Sequence, residues 1–211
     1  RRARAEGKVA VFMGWQSANI VDHEMRSAST YYGEADIVPQ TVLNAYYKLG
    51  LRICGIAYNL TNLFGGGCME PQVGLTRAGH RLIEEIHDLG ILMDVGGHTG
   101  EQTSLDALAM SRGVPVVSTH TNVATINPNA RAASDRVLEA VARSGGVIGV
   151  TAISDYHVRS AGDSQIEVSP QATLEQHLDQ YDYLKRLVGA EHVGLGTDFF
   201  EGYPPRATLV T

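Results

Sequence analysis

A chain of 211 residues, 44% hydrophobic and 19% charged, has the makeup of a globular protein with core enough for one domain, 1–211. Its formal net charge of -6 and the lack of a clustered basic stripe argue against a nucleic-acid partner, and Arg1, Arg2 and Arg4 read as a solvated helix or linker face. No apolar stretch approaches the ~20 residues of a membrane span, and no leader-like pattern opens the chain; Cys54 and Cys68, outside any CxxC pair, read as free buried thiols favouring a reducing, cytoplasmic compartment.

In chain order, Lys8 to Met13 predicts a first strand, and Pro39 to Leu49 a helix stopped by Gly50. Leu51 to Ala57 is the second strand, followed by a glycine-rich loop from Leu63 to Gly67 that runs on through Glu70-Pro71 to Gly74. Thr76 is placed to cap a helix through Leu89, in which Leu82, Ile83, Ile86 and Leu89 fall on one stripe. Gly90 ends that helix; the third apolar run, Gly90 to Val95, leads into Gly96-Gly97-His98. After a helix from Glu101 to Ser111 comes the fourth, Val114 to Thr119, followed directly by His120. Ser134 can cap a helix from Asp135 to Arg143, and Gly145-Gly146 turns the chain into strand five, Val147 to Thr151. The last unit is a helix, Leu174 to Val188, and strand six, His192 to Gly196, leading to Thr197-Asp198.

Strands alternating with helices predict a parallel sheet with right-handed crossovers. A doubly wound sheet and a (β/α)8 barrel both fit, and a full barrel takes ~250 residues and eight units. About six units in 211 residues read as a barrel lacking pieces at both ends. No internal repeat or low-complexity segment interrupts the pattern.

Polar residues recur where the strands end: Gln16, Tyr58-Asn59, His98, His120 and Asp198. In a parallel sheet these ends share one rim, so His98 and His120 together predict a metal site, with a carboxylate or amide nearby to complete the shell. His80, His87 and His177 fall on helices and are expected on the surface or in packing; His192 opens a strand at the far end, and His23 and His157 fall in loops. Asp198, after Gly194-Leu195-Gly196-Thr197, suits a proton shuttle or an anchor for a cationic substrate group, with a helix cap or loop brace as the structural alternative. Arg131, beyond Asn127-Pro128-Asn129, suits a carboxylate through its bidentate fork. Gly65-Gly66-Gly67 matches neither phosphate-binding glycine pattern, and neither GxSxG nor HExxH occurs, so serine hydrolase and zincin chemistry have no support.

An ordered set of motifs resembles the membrane (renal-type) dipeptidases, metallopeptidase family M19, in a bacterial-type form. The set is Gly74-Leu75-Thr76-x-x-Gly79, then Leu89-Gly90-Ile91-Leu92-Met93-Asp94-Val95 with His98, then Val116 to His120 with Asn122. It continues through Gly145-Gly146-Val147-Ile148-Gly149-Val150 to His192-Val193-Gly194-Leu195-Gly196-Thr197-Asp198-Phe199, covering nearly the whole chain. The resemblance implies a TIM barrel of the metallo-dependent hydrolase type. It also implies a two-metal zinc centre that hydrolyses dipeptides, some with a C-terminal D-residue, by a metal-activated water. It assigns metal to His98 and His120, the substrate carboxylate to Arg131, eleven residues after His120, and proton handling to Asp198.

Several positions depart from the family. Gln16 falls in the slot of a bridging glutamate, and an amide is a weaker ligand that cannot act as a base. Tyr58 replaces a histidine that steadies the oxyanion, though its hydroxyl can still donate. Asp94 to His98 is one residue longer than usual, suggesting a bulge or a misassigned glycine, and a His-x-Asp pair on the family's first strand has no counterpart. The expected activity is a zinc dipeptidase with a small dipeptide as its partner and a homodimer left open. The alternative is a catalytically altered relative that binds or modifies a peptide-like metabolite. A plain nucleotide-binding domain suffers from the missing phosphate loop.

Overall fold

In the computed structural model, residues 2–23, 39–111, 113–151, 155–158, 166–169 and 174–196 are described. After a short helix α1 (Arg2–Ala5) come β1 (Met13–Trp15), α2 (Pro39–Leu49), β2 (Leu51–Gly55), α3 (Arg77–Asp88), β3 (Leu92–Asp94), α4 (Glu101–Met110) and β4 (Val116–Val123). The chain continues with β5 (Ala132–Ala133), α5 (Asp135–Arg143), β6 (Ile148–Val150), β7 (Asp155–Val158), β8 (Ile166–Ser169), α6 (Leu174–Val188) and β9 (Val193–Leu195).

Seven strands form one parallel sheet in the order β1-β2-β3-β4-β6-β9, with β5 beside the end of β4. Spatial order equals chain order with no reversal. A doubly wound sheet has a switch point where the order reverses, so this winding is that of a partial (β/α) barrel. The β7–β8 pair is a separate antiparallel hairpin that places His157 on a strand rather than in a loop.

The helices are positioned by burial and by their ends. In α3, Thr76 accepts the Gly79 N–H at 3.0 Å, and Leu82, Ile83 and Ile86 are fully buried, each worth about 1.5–3 kcal/mol. Gly90, at φ +68°, ends that helix in the left-handed conformation that glycine adopts freely. Ser134 precedes α5 as expected, but its hydroxyl donates to Glu101 Oε1 at 2.9 Å and so ties α4 to α5 instead of capping.

Two expected strand limits are corrected. The first strand is β1, not Lys8 to Met13: Val9, Val11 and Phe12 are 90%, 89% and 64% exposed. Pairing starts where Met13 meets Leu51 and Trp15 can rest edge-on against Tyr46 of α2, ring centres 4.4 Å apart. The strand ending at Thr119 in fact runs on to Val123, so His120 lies within β4, beside a register irregularity between Ser118 and Thr121. Of the two placements expected for His177, surface or packing, the structure has packing: it is buried because α6 lays that face against the end of the sheet. Cys54 and Cys68 are free and buried as expected; burial raises their thiols to about 12 and about 11, so both are inert as nucleophiles at neutral pH. Among the described residues no helix is long and apolar enough to cross a membrane.

Candidate active site at the strand rim

His98 follows β3 through a tight turn. Gly97 takes φ +60° and the His98 N–H reaches back to the Gly96 carbonyl at 2.6 Å, a three-residue γ-type turn. The His98 carbonyl accepts from the amides of Asn59 (3.3 Å) and Cys68 (2.8 Å), so the β2 loop and the glycine-rich loop both grip it. Gly67 makes that approach possible, since a Cβ there would lie 2.1 Å from the Asn59 carbonyl carbon. The glycine-rich loop is thus a packing device for His98. Asn59 itself sits at φ +60°, a conformation that asparagine tolerates better than most residues.

Hydrogen-bond chemistry fixes which nitrogen of each imidazole donates. Arg131 Nη2 lies 3.0 Å from His98 Nε2, and a guanidinium can only donate, so Nε2 accepts and Nδ1 carries the proton. That Nδ1–H donates to Asn59 Oδ1 at 2.9 Å, an oxygen that also accepts from the Cys68 thiol at 3.5 Å. Burial first, then the neighbouring Arg131 and His120, hold His98 far below the ordinary imidazole range, so it is neutral.

The same logic applies to His120. The Thr119 hydroxyl donates its one proton to Asp94 Oδ2, so its oxygen accepts from His120 Nδ1 at 2.9 Å. In neutral His120 the lone pair is then on Nε2. Asp94 also accepts from the amides of Gly96 (2.8 Å) and Thr119 (2.9 Å). Burial pushes its carboxyl up, opposed by His120 and these donors.

The two rings meet edge to face with centres 5.0 Å apart, and Tyr58 stacks on His98 at 3.8 Å. Each imidazole therefore gives its Nδ1–H to a neighbouring oxygen, which makes Nε2 the nitrogen that would ligate, as in ligating histidines. The donor chemistry fits a divalent cation of the zinc type. It supplies only part of a shell, because no group of three or more His, Cys, Asp or Glu suited to a metal occurs among the described residues.

Of the residues expected from sequence, the structure gathers Tyr58, His98, His120 and Arg131. Arg131 is buried, with Nε on the Gly97 carbonyl at 3.3 Å, not on a solvated loop. Gln16 is exposed beyond β1 and lines a cleft with Tyr58, whose ring is the link to His98. Asp198 lies outside the described residues. Asn59, expected among the polar strand ends, supports His98; two supporting groups were not expected, Asp94 and Thr119. Asp94 carried a signal, a lone acid within an apolar run; Thr119 carried none.

A model of the membrane dipeptidase family, peptidase family M19, matches residues 1–208. The chain is 30% identical over 206 residues to a Schizosaccharomyces pombe protein named an uncharacterized dipeptidase, covering 95% of this chain and 44% of that one. An amidohydrolase from Pseudomonas aeruginosa has a TM-score of 0.72 at 26% identity, over 97% of this chain and 55% of its own. A metallopeptidase from Rhodobacter sphaeroides, solved with a phosphinate mimic of the dipeptide L-Ala-D-Ala, has a TM-score of 0.67 at 26% identity, covering 94% of this chain and 57% of its own. The chain thus spans about half the length of these relatives. With His98, His120 and Arg131 brought together on a partial barrel, and the family model matching residues 1–208, the chain belongs to the membrane dipeptidases of peptidase family M19.

Proposed function

We propose that the protein acts as a metal-dependent dipeptidase, with zinc as the metal and a dipeptide, including one with a C-terminal D-residue, as the substrate. The observation that carries this reading is the pair of neighbouring imidazoles, each with Nδ1–H given to a fixed oxygen so that Nε2 is the nitrogen that would ligate, beside the buried guanidinium of Arg131. The family and the phosphinate mimic of L-Ala-D-Ala bound by the Rhodobacter sphaeroides relative support the substrate class.

His98 and His120 would hold the cation, with Gln16 as a further contact through its amide oxygen. The bound cation supplies Lewis-acid polarisation of the peptide carbonyl and a water of lowered pKa. Arg131 receives the substrate carboxylate through its fork. The His98 lone pair accepts from Arg131 or binds a cation, not both, so ligation frees Nη2 for that carboxylate. Tyr58 presents its hydroxyl beside His98 to steady charge on the carbonyl oxygen. Asp198, in the Gly194 to Phe199 motif, carries the proton to the departing nitrogen.

The test measures bound zinc and hydrolysis of a dipeptide panel containing L-Ala-L-Ala and L-Ala-D-Ala. Zinc near stoichiometric amounts with turnover is expected; metal far below one equivalent and no turnover would reject the proposal. Gln16 and Tyr58 favour a second reading, a catalytically altered relative that binds or modifies a peptide-like metabolite. Replacing Gln16→Glu separates the two: a gain in metal affinity supports the dipeptidase, and no gain supports the altered relative.

A further inference from the structure

Arg131 is held by its backbone as well as by its guanidinium, and the hold traces back to a helix far along the chain. Asn129 Oδ1 accepts the Arg131 N–H at 2.9 Å, and Thr121 Oγ1 lies 3.1 Å from the Arg131 carbonyl as its donor. Asn129 Nδ2 reaches the Asn127 carbonyl at 2.9 Å and Asn122 Oδ1 at 3.4 Å. Thr121 and Asn122 both belong to the part of β4 that continues past its register irregularity. That end is pinned by Gln180 on α6, whose Oε1 accepts the Val123 N–H at 2.9 Å and Asn122 Nδ2 at 3.4 Å.

Gln180 is only 3% exposed and Asn122 is fully buried. Burying an amide is costly unless its polar atoms are satisfied. A leucine or methionine would fill such a helix position without that cost but would leave the Val123 N–H without this acceptor. The side chain's contribution is therefore directional: it fixes where the end of β4 sits. From there Asn122, Thr121 and Asn129 carry that position to both backbone groups of Arg131.

We propose that Gln180 is a positioning residue for Arg131, acting through the Asn122–Asn129 link to aim the guanidinium into the rim. This builds on the reading of Arg131 as the group that binds a substrate carboxylate. One readout below is independent of that reading.

The discriminating pair of substitutions is Gln180→Met, which keeps the bulk and loses the acceptor, and Gln180→Glu, which keeps the acceptor. Amide hydrogen exchange is followed at Arg131, and steady-state kinetics are measured with L-Ala-L-Ala and with its C-terminal amide. Exchange at the Arg131 amide should quicken about tenfold in Gln180→Met, the weight of one buried hydrogen bond, and stay within about threefold in Gln180→Glu. KM for L-Ala-L-Ala should rise about tenfold in Gln180→Met with kcat little changed, while the amide substrate shifts less than about twofold. If Gln180→Met fails to fold, Asn122→Ala cuts the link between Gln180 and Asn129 while leaving the Asn129 side chain that accepts the Arg131 amide, and should give the same exchange and KM changes. Unchanged exchange at Arg131, or equal weakening of both substrates, would overturn the proposal. A wild-type protein that turns over neither substrate, or does not distinguish them, would refute the Arg131 reading; the exchange result alone would then decide the role of Gln180.

Discussion

Replacing Thr119→Val removes one hydroxyl at nearly constant shape, and the structure fixes what is lost. His120 Nδ1–H loses its acceptor, and Asp94 loses one of three donated hydrogen bonds. His120 and Asp94 are 5% and 3% exposed, so water does not readily replace the missing partner. A buried group left unpaired costs about 1–3 kcal/mol. Asp94 keeps two amide donors and falls at the low end, so the sum is about 2–4 kcal/mol of stability. The functional effect is separate: without the threonine oxygen the imidazole proton is free to move to Nε2, removing the lone pair that would bind a cation. Loss of an orienting group of this kind weakens metal affinity about 10–100-fold. Urea unfolding gives the first quantity and calorimetric titration with zinc the second, with Thr119→Ser expected to restore both. Zinc affinity within about twofold of wild type, alongside the expected loss of stability, would refute the assigned tautomer.

Gly67→Ala places a Cβ at 2.1 Å from the Asn59 carbonyl carbon, so backbone must move; a loss of about 1–3 kcal/mol is expected in urea unfolding. Arg131→Met removes both a competitor for the His98 lone pair and a positive charge beside it. It should tighten zinc binding severalfold by calorimetry while raising KM for dipeptides, and the two effects should have opposite sign. His177 is held below the usual imidazole value of 6.5 by burial, offset in part by its bond to the Thr151 backbone. The unfolded chain then binds the proton more readily than the folded one, so this contribution is full above about pH 6.5 and is lost as pH falls through that value. Urea midpoints should drop from about pH 7 to about pH 5, and His177→Gln, which keeps a donor, should flatten that slope.

The helices were readable because their ends carry chemistry: α2, α5 and α6 begin and end at the residues expected from sequence, with Gly50 and Gly145 closing the first two. Strand limits were harder because they are set by neighbours. Met13 begins β1 only because Leu51 is there to pair, and β4 runs on to Val123 because Gln180 and β5 meet it. His98 and His120 were legible as polar residues after apolar runs, and Arg131 through the family resemblance, which implies an arginine eleven residues after His120. Thr119 was not, since its role depends on Asp94, which lies 25 positions earlier and is brought alongside by β3 pairing with β4. For His177 the sequence left surface and packing both open, because helical spacing says which residues share a face, not which face the sheet covers.

The central claim is that His98 and His120 bind one divalent cation through Nε2. X-ray absorption at the zinc edge of the zinc-loaded protein tests it most directly. The account predicts two imidazole nitrogens at about 2.0–2.1 Å, with one lost in His98→Ala and one in His120→Ala. A spectrum without imidazole scattering, or one unchanged by both substitutions, would contradict it.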